Sequence, residues 1–70
     1  MHWVLYLAVM GIAGGPYPYH EQGAIKQFAT KADCIKTLKV EVKELTAADG
    51  LLAGKKIGKD FTLVCKQEKN

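Results

Sequence analysis

The stretch WVLYLAVMGIA, residues 3–13, decides the arrangement of the chain, because it is almost entirely apolar and carries no charge. A transmembrane helix needs about 20 apolar residues, and this run ends at the Gly-Gly-Pro of residues 14–16. A secretory signal peptide fits the length, with Ala13 and Gly15 small enough for cleavage, but no lysine precedes the run. Residues 1–10 are therefore predicted to form a buried β-strand, with a cleaved export signal as the alternative.

Both faces of this strand are apolar. By alternation, one face carries Trp3, Leu5, Leu7 and Val9, and the other carries Val4, Tyr6, Ala8 and Met10. A strand of this kind needs cover on both faces, whereas a single helix covers only one. We expect a second subunit, a partner protein or the following loop to cover the second face. Val4 and Tyr6 are therefore candidate partner-binding residues, and a homodimer is expected.

Periodicity and turn residues place the other elements. They predict a Gly/Pro/Tyr loop over 11–23, a short strand over 24–28, a helix over 31–49 and a last strand over 60–67. Thr30 and Asp33 form a capping box before the helix, and Gly50 ends it. The second and third strands flank the crossover helix and should run parallel, with the first between them. The prediction is one α+β domain over 1–70, β-β-α-β, with a three-stranded sheet in the order 2-1-3 and one amphipathic helix on one face.

The predicted helix separates apolar, basic and acidic side chains. The expected core stripe consists of Cys34, Ile35, Leu38, Val42 and Leu45. The nearly opposite face carries Lys36, Lys39 and Lys43, and one flank carries Asp33, Glu41 and Glu44. The lysine stripe is either a solvated helix face or a surface for an anionic partner.

Two cysteines point into the same layer. Cys34 lies on the core stripe, and Cys65 shares a strand face with Phe61 and Leu63. A disulfide between them would stabilise the fold by roughly 3–4 kcal/mol in the chain-entropy model. The alternative is a pair of buried free thiols, as expected in a reducing cytosol. We expect both sulfurs side by side in the core of an uncleaved chain, reduced in a cytosolic protein and bridged in an exported one.

Charge is concentrated at the end of the chain. The net charge of +3 resides entirely in residues 55–70. This favours binding to an anionic partner, but the chain contains no arginine, the residue that reads guanine and clamps phosphate in bidentate fashion. Serine nucleophiles are excluded because serine is also missing. Candidate residues for an anionic partner, including weakly bound nucleic acid, are Lys36, Lys39, Lys43, Lys55, Lys56 and Lys59.

The loop segment Tyr17-Pro18-Tyr19-His20-Glu21 combines aromatic rings with stiffening prolines. Tyrosines provide large contact areas at low entropic cost, so Tyr17, Tyr19 and His20 are candidate partner-binding residues. In the alternative, the rings fold back over the second face of the sheet. No spacing of histidine and carboxylate residues is typical of a metal site, so neither a metal nor another cofactor is expected.

The chain resembles a set of short phage and prophage-type proteins. They begin with a W-x-L-x-L strand, enter a helix at F-x-T/S-x-x-x-C and end on a strand with a second cysteine. The matching residues here are Trp3, Leu5, Leu7, Phe28, Thr30, Cys34 and Cys65. This family has no established activity, so the resemblance transfers no site residues. It implies a virus-encoded accessory protein.

Together these features predict a non-enzymatic protein-interaction module, which for a phage protein would bind or inhibit a host protein in the host cytoplasm. One alternative is an electrostatic nucleic-acid-binding protein without sequence specificity. The other is a small exported protein whose N-terminal segment is cleaved.

Overall fold

A computed structural model describes residues 1–11 and 15–69. Residues 12–14, which include the predicted cleavage position Ala13 and part of the predicted loop, lie outside the described residues. The elements are β1 (His2–Val9), β2 (Tyr17–Pro18), β3 (His20–Glu21), β4 (Ala24–Ile25), β5 (Gln27–Phe28), α1 (Lys31–Thr46) and β6 (Phe61–Glu68). No helix in these two ranges is both long enough and apolar enough to cross a membrane.

Strand β1 forms the centre of the sheet. It pairs antiparallel with β6 over its whole length, from His2 opposite Glu68 to Val9 opposite Phe61. On its other side it pairs antiparallel with β5 and, farther along, with β2. Because β5 and β6 both run antiparallel to β1, they are parallel to each other, and α1 connects them. The predicted α+β class and the order 2-1-3 are therefore confirmed.

The edge beside β5 is interrupted by a hairpin. The predicted strand 24–28 splits at Lys26, so that β4 pairs with β3 and only β5 joins β1. Leu5 binds the chain on both sides of this excursion: its carbonyl accepts from the Tyr19 N–H at 2.8 Å, and its N–H donates to the Lys26 carbonyl at 3.2 Å. Gln22 and Gly23 turn the hairpin with φ of 54° and 81°, as a type I′ turn requires.

Helix α1 starts as predicted and ends earlier. The Thr30 side chain accepts from the Asp33 N–H at 3.2 Å, which caps the first turn. The last helical residue is Thr46 rather than residue 49, because Ala47 adopts an extended backbone. The chain then folds back over the helix end, where the Leu52 N–H donates to the Leu45 carbonyl at 2.9 Å. Gly50 is required here, because a Cβ would collide with the carbonyl of Leu45.

The core lies between α1 and one face of the sheet. Its fully packed members are Leu5, Cys34, Leu45, Phe61 and Leu63, and Cys34 and Cys65 are joined by a disulfide with Cα atoms 6.2 Å apart. The two sulfurs are thus neighbours in the core. Of the two alternatives, a disulfide and a pair of free thiols, the structure contains the disulfide. Leu38 and Val42 pack against this cluster as expected.

Ile35 was predicted to lie on the core stripe, but it does not belong to the core cluster. It is half-buried and lines a shallow depression on the outer side of α1. Its place on the buried stripe is taken by Glu41, of which only 5% is exposed. The buried stripe is rotated relative to the predicted one, because Tyr19 approaches the helix from the Glu41 flank.

The second face of the sheet is partly covered by its own side chains. Val4 is only 3% exposed, although α1 packs on the opposite face. The Tyr6 hydroxyl donates to the Glu68 carboxylate, and the Lys66 ammonium lies 5.3 Å from the centre of the Tyr6 ring. Val4 is thus covered within the single chain, and its predicted role in partner binding remains a prediction. Met10, at the end of the same face, remains exposed.

Candidate protein-binding groove

An open groove of about 660 Å³ runs between α1 and the hairpin edge of the sheet. One wall is the helix flank with Thr37, Glu41 and Glu44, and the other is the chain from Lys26 to Ala29. We call it the α1–hairpin groove. It exists because the hairpin leaves the sheet at Leu5 and rises beside the helix instead of continuing as a flat edge strand.

Glu41 lines the groove, and its hydrogen-bond partner is Tyr19. The Tyr19 hydroxyl donates to Glu41 Oε2 at 2.8 Å. The Tyr19 backbone is held by its bond to Leu5, and the ring packs against the core cluster. Burial, followed by the hydrogen bond and the negative charge of Glu41, raises the pKa of the Tyr19 hydroxyl well above its usual value. The phenol therefore remains a donor at neutral pH and stabilises a buried carboxylate.

The base of the hairpin is held by an ion pair between the Lys26 ammonium and the Glu21 carboxylate. The hydrogen bond that the Lys26 ammonium donates to this carboxylate raises the pKa of Lys26, against a smaller opposing effect of burial. Both side chains are about one-third exposed, so solvent screening keeps the contribution to stability small. The pair mainly orients the hairpin, and the Glu21 carboxylate neutralises the positive charge of Lys26.

The groove is acidic within a basic protein. It contains the carboxylates of Glu21, Asp33, Glu41 and Glu44, against the ammonium groups of Lys26 and Lys36. Once Glu21 and Lys26 are paired, three carboxylates face one lysine. The net charge of the groove is therefore opposite to the +3 of the whole chain, which indicates a preference for cationic groups.

The predicted partner-binding residues lie on different surfaces. Tyr19 is hydrogen-bonded to Glu41 of the groove, and His20 is exposed on the adjacent hairpin strand. Tyr17 is 53% exposed and lies opposite Leu7, farther along the same edge. Val4 and Tyr6 lie on the other face of the sheet. The tyrosines therefore do not fold back over the second face, and the predicted binding roles remain predictions.

The predicted lysines fall into two exposed groups. Lys36, Lys39 and Lys43 lie on α1, and Lys55, Lys56 and Lys59 lie in the connection to β6. Lys36 and Lys39 border the shallow depression on α1, which also contains Ala32, Ile35 and Val40. The second group is ordered by a turn in which the Lys56 N–H donates to the Asp60 carboxylate at 2.9 Å. Their role toward an anionic partner remains a prediction.

Sequence reasoning missed Glu41 as the centre of the site. A detectable signal was its spacing: Glu41 follows Leu38 by three positions and precedes Leu45 by four, which places it on their helix face. A charged residue on a core stripe indicates a buried polar contact. The ion pair of Glu21 with Lys26 gave no such signal, because it depends on a hairpin of two-residue strands.

Within the two described ranges, no group of three or more histidine, cysteine, aspartate or glutamate residues could hold a metal ion. Comparison with family models, curated proteins and solved structures finds no match for the chain. The resemblance to phage-type proteins therefore stays a prediction.

Proposed function

We propose that the chain is a non-enzymatic protein-interaction module and that its α1–hairpin groove receives a basic segment of a partner protein. The observation that carries this proposal is Glu41. Its carboxylate is almost fully buried, lines the groove, and has the neutral phenol of Tyr19 as its hydrogen-bond donor. Buried carboxylates are stabilised by a cation. A lysine or arginine of a partner would supply this charge.

The surroundings of Glu41 support a peptide segment rather than a single small cation. The groove is open and elongated along the helix, from Asp33 near its start to Glu44 near its end. Carboxylates at both ends match basic side chains spaced along an extended partner. The exposed ring of Tyr17 and the exposed His20 adjoin this region on the same edge and offer further contact area.

The resemblance to phage-type proteins supports a more specific form of this function. In that form the protein is a virus-encoded accessory factor, and its groove binds or inhibits a host protein in the host cytoplasm. The position of β1 argues against the export alternative. Cleavage near residues 13–15 would remove β1 and with it the buried Val4 and Leu5. The bridge favours the export alternative, because disulfides are rare in a reducing cytoplasm, whereas the burial of Cys34, which has no exposed surface, would protect it from reduction there.

The proposal is tested with an array of immobilised extended peptides that differ in lysine and arginine content. The unmodified protein should prefer the basic peptides. Glu44→Lys should weaken this binding by about tenfold, because it reverses a charge in the groove. Asp49→Lys is the matched control, since Asp49 is exposed, lies outside the groove and undergoes the same change of charge. Equal binding by both variants, or a preference for acidic peptides, would contradict the proposal.

A second candidate function is electrostatic binding of nucleic acid. The exposure of all six predicted lysines favours it, and the acidic groove opposes it. Oligonucleotide binding that falls steeply with salt, and that is lost in Lys36→Gln/Lys39→Gln/Lys43→Gln but retained in Glu44→Lys, would select this alternative.

A further inference from the structure

Strand β6 has a free edge. Among residues 1–11 and 15–69 it forms strand pairs with β1 alone. The N–H of Met10 donates to the Asp60 carbonyl at 2.9 Å. Hydrogen-bonded and non-hydrogen-bonded pairs alternate along an antiparallel ladder, so this bond identifies the residues of β6 that bond to β1. The residues at even positions of β6 therefore bond to β1. The N–H and C=O groups of Leu63, Cys65 and Gln67 point away from it.

The start of β6 is closed to pairing. The Phe61 carbonyl, which also points away from β1, accepts from the Gly58 N–H at 2.6 Å. Among the described residues, the outward backbone groups of Leu63, Cys65 and Gln67, three donors and three acceptors, have no backbone partner, although Leu63 as a whole is only 4% exposed. An edge of this kind is a template for another strand.

We propose that the β6 edge pairs with β6 of a second copy of this chain, antiparallel about a two-fold axis at Cys65. Cys65 then faces Cys65 of the second copy, and Leu63 faces Gln67. Both helices lie on the same side of one continuous sheet. All six outward groups of each strand form hydrogen bonds, without use of the occupied Phe61 carbonyl. The interface is self-complementary, as a two-fold dimer requires.

The charges along β6 favour this register over its neighbours. With the axis at Cys65, Lys66 lies opposite Val64 and Glu68 opposite Thr62, where the lysine stem covers an apolar side chain and the hydroxyl can donate to the carboxylate. Moving the axis to Lys66 places two lysines directly opposite each other. Moving it to Val64 places Glu68 opposite Asp60. Like charges in directly opposite positions destabilise a strand pair, so both shifts are unfavourable.

This surface is separate from the α1–hairpin groove, which lies at the other edge of the sheet. It also differs from the face of Val4 and Tyr6, which the chain partly covers itself. The dimer therefore leaves the groove accessible, and each proposal can fail without the other.

Sedimentation equilibrium of the unmodified chain, Gln67→Pro and Gln67→Ala tests the proposal. The unmodified chain and Gln67→Ala should form a dimer whose fraction rises with concentration. Gln67→Pro should dimerise at least about tenfold more weakly, because proline removes an outward N–H and its ring occupies the edge. The ladder to β1 is unaffected, since Gln67 does not donate to it. A monomer at all attainable concentrations, or equal dimerisation of the two variants, would overturn the proposal.

Hydrogen exchange of the unmodified chain gives a reading that does not depend on a variant that folds. The amides of Leu63, Cys65 and Gln67 should exchange more slowly as concentration rises, while exposed amides in the connection before β6 remain unchanged. Because each copy carries a charge of +3, salt should strengthen the dimer, which is the opposite of its effect on nucleic-acid binding. Exchange at these three amides that does not change with concentration would exclude pairing through β6.

Discussion

The two edges of the sheet differ in how they meet solvent. At one edge, β2 and β5 flank β1 but are separated by a hairpin that rises beside α1. At the other, β6 is regular over eight residues and is linked to the helix by the disulfide at Cys65. At the first edge the strand is interrupted, and a groove lined by the buried carboxylate of Glu41 forms beside the helix. The second keeps its backbone groups available. Interrupting the edge here both protects it from strand pairing and creates a groove beside the helix.

The largest expected effect is the difference in stability between two proline substitutions in β6, one at a residue that bonds to β1 and one at a residue that points away from it. Lys66→Pro removes an N–H that bonds to Val4 of β1, so it should destabilise the fold by more than about 3 kcal/mol. Gln67→Pro, one residue later, removes only an outward N–H and should cost the monomer about 1 kcal/mol of unfolding free energy. Denaturant unfolding measures both, with Lys66→Ala as the control for loss of the side chain. Equal losses for the two prolines would show that the assigned ladder phase is wrong.

The disulfide is expected to stabilise the regular edge. Cys34→Ala/Cys65→Ala should lose roughly 3 kcal/mol of unfolding free energy, since the bridge restricts the unfolded chain, and its melting temperature should fall by several degrees. Alkylation of the native protein before intact-mass analysis reports whether the thiols are free and whether the N-terminal segment is present. An unchanged melting temperature in the double variant would show that the bridge contributes nothing to stability.

A smaller effect is expected at the interrupted edge. Tyr19→Phe leaves the buried Glu41 carboxylate without its donor and should cost about 1–2 kcal/mol at neutral pH. Because the folded state raises the pKa of Tyr19, the hydroxyl ionises more easily in the unfolded chain. Stability should therefore be fully present below pH 10 and fall as the pH rises above it.

Tyr17→Phe is the matched control for this pH dependence, since it removes the hydroxyl of an exposed ring at the same edge. Unfolding measured from neutral to alkaline pH should show a shallower alkaline loss in Tyr19→Phe than in the unmodified chain. The same alkaline slope in Tyr19→Phe would mean that another group is responsible.

The elements with strong periodicity could be predicted from sequence. Strand β1, the start of α1 at Thr30 and strand β6 follow from alternation, a capping box and apolar spacing, and burial of the most apolar strand placed it in the centre of the sheet. Ile35 was misassigned because apolar character alone defined the core stripe, whereas the approach of Tyr19 moved the buried face toward Glu41. The hairpin at Gln22 was not predicted, because strands of two residues are too short to show alternation.

The register of the interrupted edge has a consequence for engineering. Tyr19 lies beside Leu5, and Gln27 lies opposite Val4, the next residue along β1. A chain that passed directly from Tyr19 to Gln27 would continue the edge strand in register, so residues 20–26 are an inserted cassette in an otherwise unbroken strand. We therefore expect that segments of other length and composition can replace residues 20–26 without altering β1, α1 and β6. The residues that shape this edge of the groove are thus separable in sequence from the residues that continue the edge strand.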